Sequence, residues 1–154
     1  MEGEGDHPGQ PGGAAPGLAE RQAQLVATLT SGAPVPDGFD PRLIETARVA
    51  LLRKRAGEVA KSWPALAASH GLRWHRAFAA WASGRPTQGS FRDGWDLARS
   101  LTLRPDAAEE LAAREAAYVY DGSAPPRPRR LPALRRGDGS VIIQVAGRVR
   151  ILRR

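Results

Sequence analysis

The chain has 154 residues, a formal net charge of +7 and no cysteine, which excludes disulfides, thiolate chemistry and cysteine-held metals. Its length fits one domain with tails, enough to bury a modest core. Arginine outnumbers lysine 21 to 2, a compositional habit of GC-rich coding against which every arginine has to be weighed.

Residues Met1 to Gly17 are rich in glycine and proline and nearly lack large apolar groups, which predicts a disordered tail. They carry acidic residues where a signal peptide would be basic, and no stretch of the chain approaches the ~18 consecutive apolar residues of a membrane span. A soluble, cytoplasmic chain is the expectation.

From Leu18 to Gly122 the periodicity is helical. Leu18, Gln22, Leu25, Val26 and Leu29 share one face of a first helix, stopped by Gly32 in the position of a left-handed cap. Pro34 and Pro36 then make a rigid turn. The main helix has the clearest start: Asp40 as cap, Pro41 at the first helical position, and Phe39 with Ile44 at staple spacing. Ile44, Ala47, Leu51, Leu52, Val59 and Trp63 form its apolar stripe, and Pro64 ends or kinks it. A short piece runs to Gly71. Trp74, Phe78 and Trp81 then line one face up to Gly84, and Ser90 with Asp93 has capping-box spacing ahead of Phe91, Trp95, Ala98 and Leu101. A last helix begins near Pro105, carries Ala107, Leu111 and Tyr118 on one face, and ends at Gly122.

The composition changes after Gly122. Residues 123–132 read as an extended proline-rich linker, and residues 133–154 as an arginine-rich ribbon of two or three strands, with Gly137-Asp138-Gly139 and Ala146-Gly147 as turns. The fold class expected is mainly α: a small orthogonal bundle of five to six helices with a C-terminal β-hairpin or ribbon.

Two features stand out chemically. Arg48 and Arg55 fall inside the apolar stripe of the main helix. They either snorkel to its edge, meet carboxylates across the bundle, or hold an anionic ligand, and Asp93 is the preferred partner for a buried structural charge. The second is charge placement: residues 1–122 hold 14 basic and 15 acidic groups, whereas residues 123–154 hold nine arginines and one aspartate. Arg127, Arg129, Arg130, Arg135, Arg136, Arg148 and Arg150 are therefore the candidate contacts for a protein partner or another polyanion. The ribbon has no aromatic residue to stack on bases, so an acidic protein partner or the acidic surface of the same bundle is preferred, with nucleic acid as the alternative partner and compositional bias alone as the third reading.

No catalytic constellation emerges. The rings of Trp63, Trp74, Phe78, Trp81, Phe91 and Trp95 read as core, with a flat apolar ligand as the other reading. His70 and His75 lack a third ligand, so no metal site is expected. Ser69 and His70 are adjacent on a helix and so do not face each other as nucleophile and base. Asp93 and Asp96 are explained by a cap and by an Asp96–Arg99 surface pair. The expectation is a non-enzymatic chain without cofactor.

The run Gly38 to Leu101, with LLRKRA at Leu51 to Ala56, the Trp63-Pro64 junction and GSFRDGWDLA at Gly89 to Ala98, resembles a family of small uncharacterised actinomycete proteins that share a helical C-terminal domain of unknown function. More distantly, the order of an arginine-bearing helix, an aromatic-proline junction, a short helix and a tryptophan-bearing helix is similar to the amino-terminal helical domain of proteins labelled DNA-binding, found in operons for modified, metal-handling peptides. The first resemblance implies a helical fold and transfers no catalytic residue. The second implies a recruiting module beside an enzyme partner, although the second domain of those proteins is absent from this chain.

Overall fold

Capping residues set the longest helix. Asp40 accepts the Arg42 N–H at 2.8 Å and Pro41 fills the first helical position, so α2 runs Pro41–Ser62. The computed structural model describes residues 17–137, 140–145 and 147–153. Within them α1 (Leu18–Ser31) precedes α2. It is followed by α3 (Pro64–His70), a 3-10 turn (Gly71–Arg73), α4 (Trp74–Ala82), α5 (Ser90–Arg99) and α6 (Pro105–Ala117). The strands are β1 (Tyr118–Val119), β2 (Arg127–Pro128), β3 (Ala133–Gly137), β4 (Ser140–Val145) and β5 (Arg148–Arg153). The fold is mainly α, with small antiparallel sheets at its C-terminal end. Among the described residues, no helix is long and apolar enough to cross a membrane.

The core is built where α2, α3, α4 and α5 meet. Ala56, Val59, Trp63, Leu66, Phe78, Trp95 and Leu97 are buried, and the rings pack on one another, with Trp63–Trp95 at 5.8 Å and Phe91–Trp95 at 5.4 Å between centroids. Trp63 comes close enough to α5 that a Cβ at Gly94 would overlap its indole, so only glycine fits that contact. Trp63 Nε1 donates to the Phe91 carbonyl at 2.9 Å and Trp74 Nε1 to that of Ala56 at 3.0 Å.

Several boundaries differ from the sequence expectation. On α1 the buried residue is Thr28, whose hydroxyl bridges the Gln24 and Pro34 carbonyls, while Leu18, Gln22 and Val26 are exposed. Gly32 does cap it with φ 72°. Leu51, placed in the α2 stripe, is 43% exposed. Ser90 is inside α5 and pairs with Ser62, so the expected capping box is absent; Asp93 reaches back to the Gln88 N–H instead. The last helix ends at Ala117, not Gly122, because the Tyr118-Val119 pair is drawn into a ladder with Arg127-Pro128. The linker is thus partly a strand.

β3, β4 and β5 form an antiparallel sheet whose inner face packs on α6. Ser140, Ile142 and Gln144 are buried on that face, and Gln144 Nε2 donates to the Arg129 carbonyl at 3.2 Å. The expected disorder of Met1 to Ala15, and of Pro16, lies outside the described residues, as do Asp138, Gly139 and Ala146 of the two expected turns.

Candidate functional site

The structure brings Arg55 and Asp93 together. Arg55 Nε donates to Asp93 Oδ2 at 2.7 Å, with side chains 13% and 2% exposed, and its two terminal nitrogens donate to the Arg85 and Pro86 carbonyls. Asp93 also accepts from the Thr87 hydroxyl at 2.9 Å and the Gln88 N–H at 3.1 Å. The guanidinium lies 5.6 Å from the Phe78 centroid. All these partners are internal, so the pair clamps α2 to the α4–α5 loop, and Arg55 and Thr87 also line a cleft of about 340 Å³ beside Leu29, Leu51 and Leu52. Arg48 does otherwise: it pairs with Glu45 of its own helix at 3.3 Å and is 26% exposed, an edge position and not a buried charge. Asp96 accepts the Tyr120 hydroxyl at 2.9 Å, and Arg99 pairs with Glu115, so the expected Asp96–Arg99 pair is replaced.

The tail arginines separate by face, because residues directly opposite each other in an antiparallel sheet share a face. Arg129 is inward: its backbone N–H caps the Ala117 carbonyl at 2.7 Å and its Nη2 reaches the Glu115 and Tyr118 carbonyls. This is the positively charged C-terminal cap of α6. Arg127 and Arg130 are exposed beside it, and Arg135 lies opposite Ile142 on the α6 side at the sheet edge. Arg136, Arg148 and Arg150 are on the outer face. There Arg136 is opposite Val141, Arg150 opposite Ile143 and Arg148 opposite Val145.

The outer face is more than basic. Leu134, Val145 and Leu152 on it are 57%, 53% and 56% exposed, with Val141 and Ile143 half-buried between them. Five aliphatic side chains and three guanidiniums thus share one open surface, and no carboxylate of the described strands lies among them. The alternation in Val141–Val145 was readable; which of its two faces the helices would cover was not.

Two groups titrate away from their ordinary values. Burial raises the Tyr120 phenol above 10.0, with the Arg92 hydrogen bond opposing and Asp96 adding to it. Asp121 is lowered from 3.8 to about 2, because its carboxylate accepts the Ser123 and Ala124 N–H groups and the Ser123 hydroxyl. Both belong to the turn joining β1 to β2, and both are structural. No group of three or more histidine, aspartate or glutamate side chains is placed to hold a metal among the described residues. His70 Nδ1 instead contacts the Leu66 carbonyl at 3.0 Å and Ser69 donates to the same carbonyl; contrary to the sequence expectation the two side chains do meet, with Ser69 Oγ 3.1 Å from His70 Nδ1 at the end of α3.

Residues 19–103 match the family described as SCO6045-like, C-terminal domain. The chain is also 39% identical over 121 residues to a UPF0276 protein of Streptomyces avermitilis, an alignment that takes in 77% of this chain and 25% of that protein. The chain thus spans about a quarter of the curated relative it matches. No solved structure matches.

Proposed function

The chain belongs to the SCO6045-like C-terminal domain family, and from that premise we propose that it is a non-enzymatic adaptor whose outer β-sheet face docks an acidic protein partner. The observation that carries this reading is the open patch of Leu134, Ile143, Val145 and Leu152 with Arg136, Arg148 and Arg150. Aliphatic area supplies the attraction, and arginines at the rim select a partner of opposite charge and speed encounter. The relative adds support of a different kind: there the matched segment is one quarter of a longer protein, so a segment of this kind is joined to a larger remainder.

That remainder is the first bait. The UPF0276 protein shortened by its matched segment is mixed with this full-length chain and run on a sizing column. Co-elution is expected, and it should be lost in R136E/R148E/R150E at unchanged helix content. A bait that elutes alone at micromolar concentrations of both would count against the adaptor reading.

Nucleic acid is the second reading, favoured by the exposure of Arg127, Arg130, Arg135, Arg136, Arg148 and Arg150. It requires affinity for a duplex or single strand that falls with a log–log salt slope of about −5 if roughly six phosphates are neutralised. A shallow slope, or no binding near 0.1 M salt, removes it.

A further inference from the structure

A second charged surface lies away from the sheet's outer face. Between α3, α4 and the loop leading to α6 is a cleft of about 500 Å³ lined by Ser69, His70, Arg73, Arg76, Thr102 and Arg104. We propose that this cleft binds a di- or polyphosphate group, free or at the end of a nucleotide.

Within the helical body, arginines at the edge of the core are engaged: Arg55 with Asp93, Arg99 with Glu115, Arg92 with the Gly122 and Ser123 carbonyls, and Arg114 with the Ser62 carbonyl. The side chains of Arg73, Arg76 and Arg104 have no hydrogen-bond, ion-pair or ring partner among the described residues, yet all three line one cleft. Like charges gathered in a concave surface raise the local potential, and an anion entering it relieves their repulsion.

The cleft is open, with Arg73, Arg76, Thr102 and Arg104 exposed along it. Arg73, Arg76, Ala77 and Ala80 follow one another on a single face at helical spacing, and the two alanines leave a floor where longer side chains would fill the space. On the opposite wall Thr102 offers a hydroxyl and Arg104 a guanidinium. His70 Nδ1 is taken up by Leu66 and Ser69, which leaves Nε2 as its ring atom without a partner among the described residues. Arg104 also borders the neighbouring groove, where Asp106, Glu109 and Glu110 lie. Glu110 there is already taken up by the Leu66 N–H at 2.9 Å, and the negative charge of that groove leaves the arginine side as the one open to an anion.

Charge count selects the ligand. One phosphate carries about −1.5 to −2 near neutral pH, too little for three guanidiniums, whereas a diphosphate comes close to balancing them. Arginine forks suit phosphate oxygens, and the volume lies within the range of small-molecule sites and exceeds what pyrophosphate alone fills. The alanine floor is the place for the rest of a larger ligand.

The full-length chain is titrated calorimetrically with inorganic pyrophosphate, and with sodium sulfate at matched ionic strength. Saturable binding of pyrophosphate to one site is expected, with sulfate at least about tenfold weaker. R76A and R104A should each weaken pyrophosphate by about tenfold, while R136A/R148A/R150A leaves it unchanged. These arginines are exposed, and near-ultraviolet circular dichroism checks that the variants keep the fold. A nucleoside triphosphate binding more tightly than pyrophosphate identifies a nucleotide as the source; equal affinity identifies free polyphosphate. The proposal is overturned if sulfate binds equally well, if no saturation is reached at millimolar pyrophosphate, or if R73A/R76A/R104A binds as the parent does.

Discussion

Asp93 ties α5 to α2 and to the loop before it, since one buried carboxylate holds a guanidinium, a hydroxyl and a backbone N–H at once. Removing Arg55 leaves that carboxylate buried without its counter-charge, a loss worth about 3 kcal/mol or more. R55A should therefore lower the urea midpoint strongly, and R55K should recover only part, because lysine has no fork to reach the Arg85 and Pro86 carbonyls as well. An R55A midpoint within error of the parent would show the clamp to be idle. R48A is the contrast: its partner Glu45 is 63% exposed, and the change should cost less than about 1 kcal/mol. Gly94 makes a second test of the same region. G94A forces the Trp63 indole out of place and should destabilise by on the order of 3 kcal/mol, measured by the same unfolding curves.

At the scale of elements, the turn between β1 and β2 carries its own pH signature. The Asp121 carboxyl titrates at about 2 when folded, below the ordinary 3.8, so its contribution is fully present above 3.8 and is lost as the pH falls through about 2. The Asp121 carboxyl resonance should titrate near 2, and S123A, which removes one of its three donors, should move that midpoint upward; a midpoint near 3.8 in the parent would mean the turn is open. How much of these elements could be read from sequence depends on the range of the interaction. The Asp40-Pro41 start and the Gly32 stop are local chemistry and were legible. Arg55 was legible because charge inside an apolar stripe demands a partner, yet Arg48 carries the same signal and settles for Glu45 one turn back. Tyr118 fits a helix by its periodicity, and a strand ten residues later overrides it. The arginine cleft is not legible in the sequence, since it joins residues 69–80 to 102–104, which lie more than twenty positions apart along the chain.

For the molecule as a whole, the C-terminal segment is a structural layer and not a detachable tail. α6 has the bundle on one side and the β3–β5 sheet on the other, and the segment before the sheet closes the end of α6 through Arg129. Ile142 and Gln144 are fully buried in that contact, so the basic residues are carried on an element whose other face is core. Arginine on the outer face can then be dense without loosening the fold, because the inner face is held separately, by the burial of Ile142 and by the Gln144 hydrogen bond to the Arg129 carbonyl. The consequence is testable by truncation at two points. Ending the chain at Pro132 removes the sheet but keeps Arg129 and the β1–β2 ladder; ending it at Gly122 removes these as well. Losing the burial of Ile142 and its neighbours costs several kcal/mol, so the first truncation should melt lower by on the order of 10 °C. The second should melt lower still, because the last carbonyls of α6 lose the Arg129 backbone and side-chain donors together. If the Pro132 truncation melts within about 2 °C of the full chain, the sheet lies outside the cooperative unit and its arginines are held by strand pairing alone.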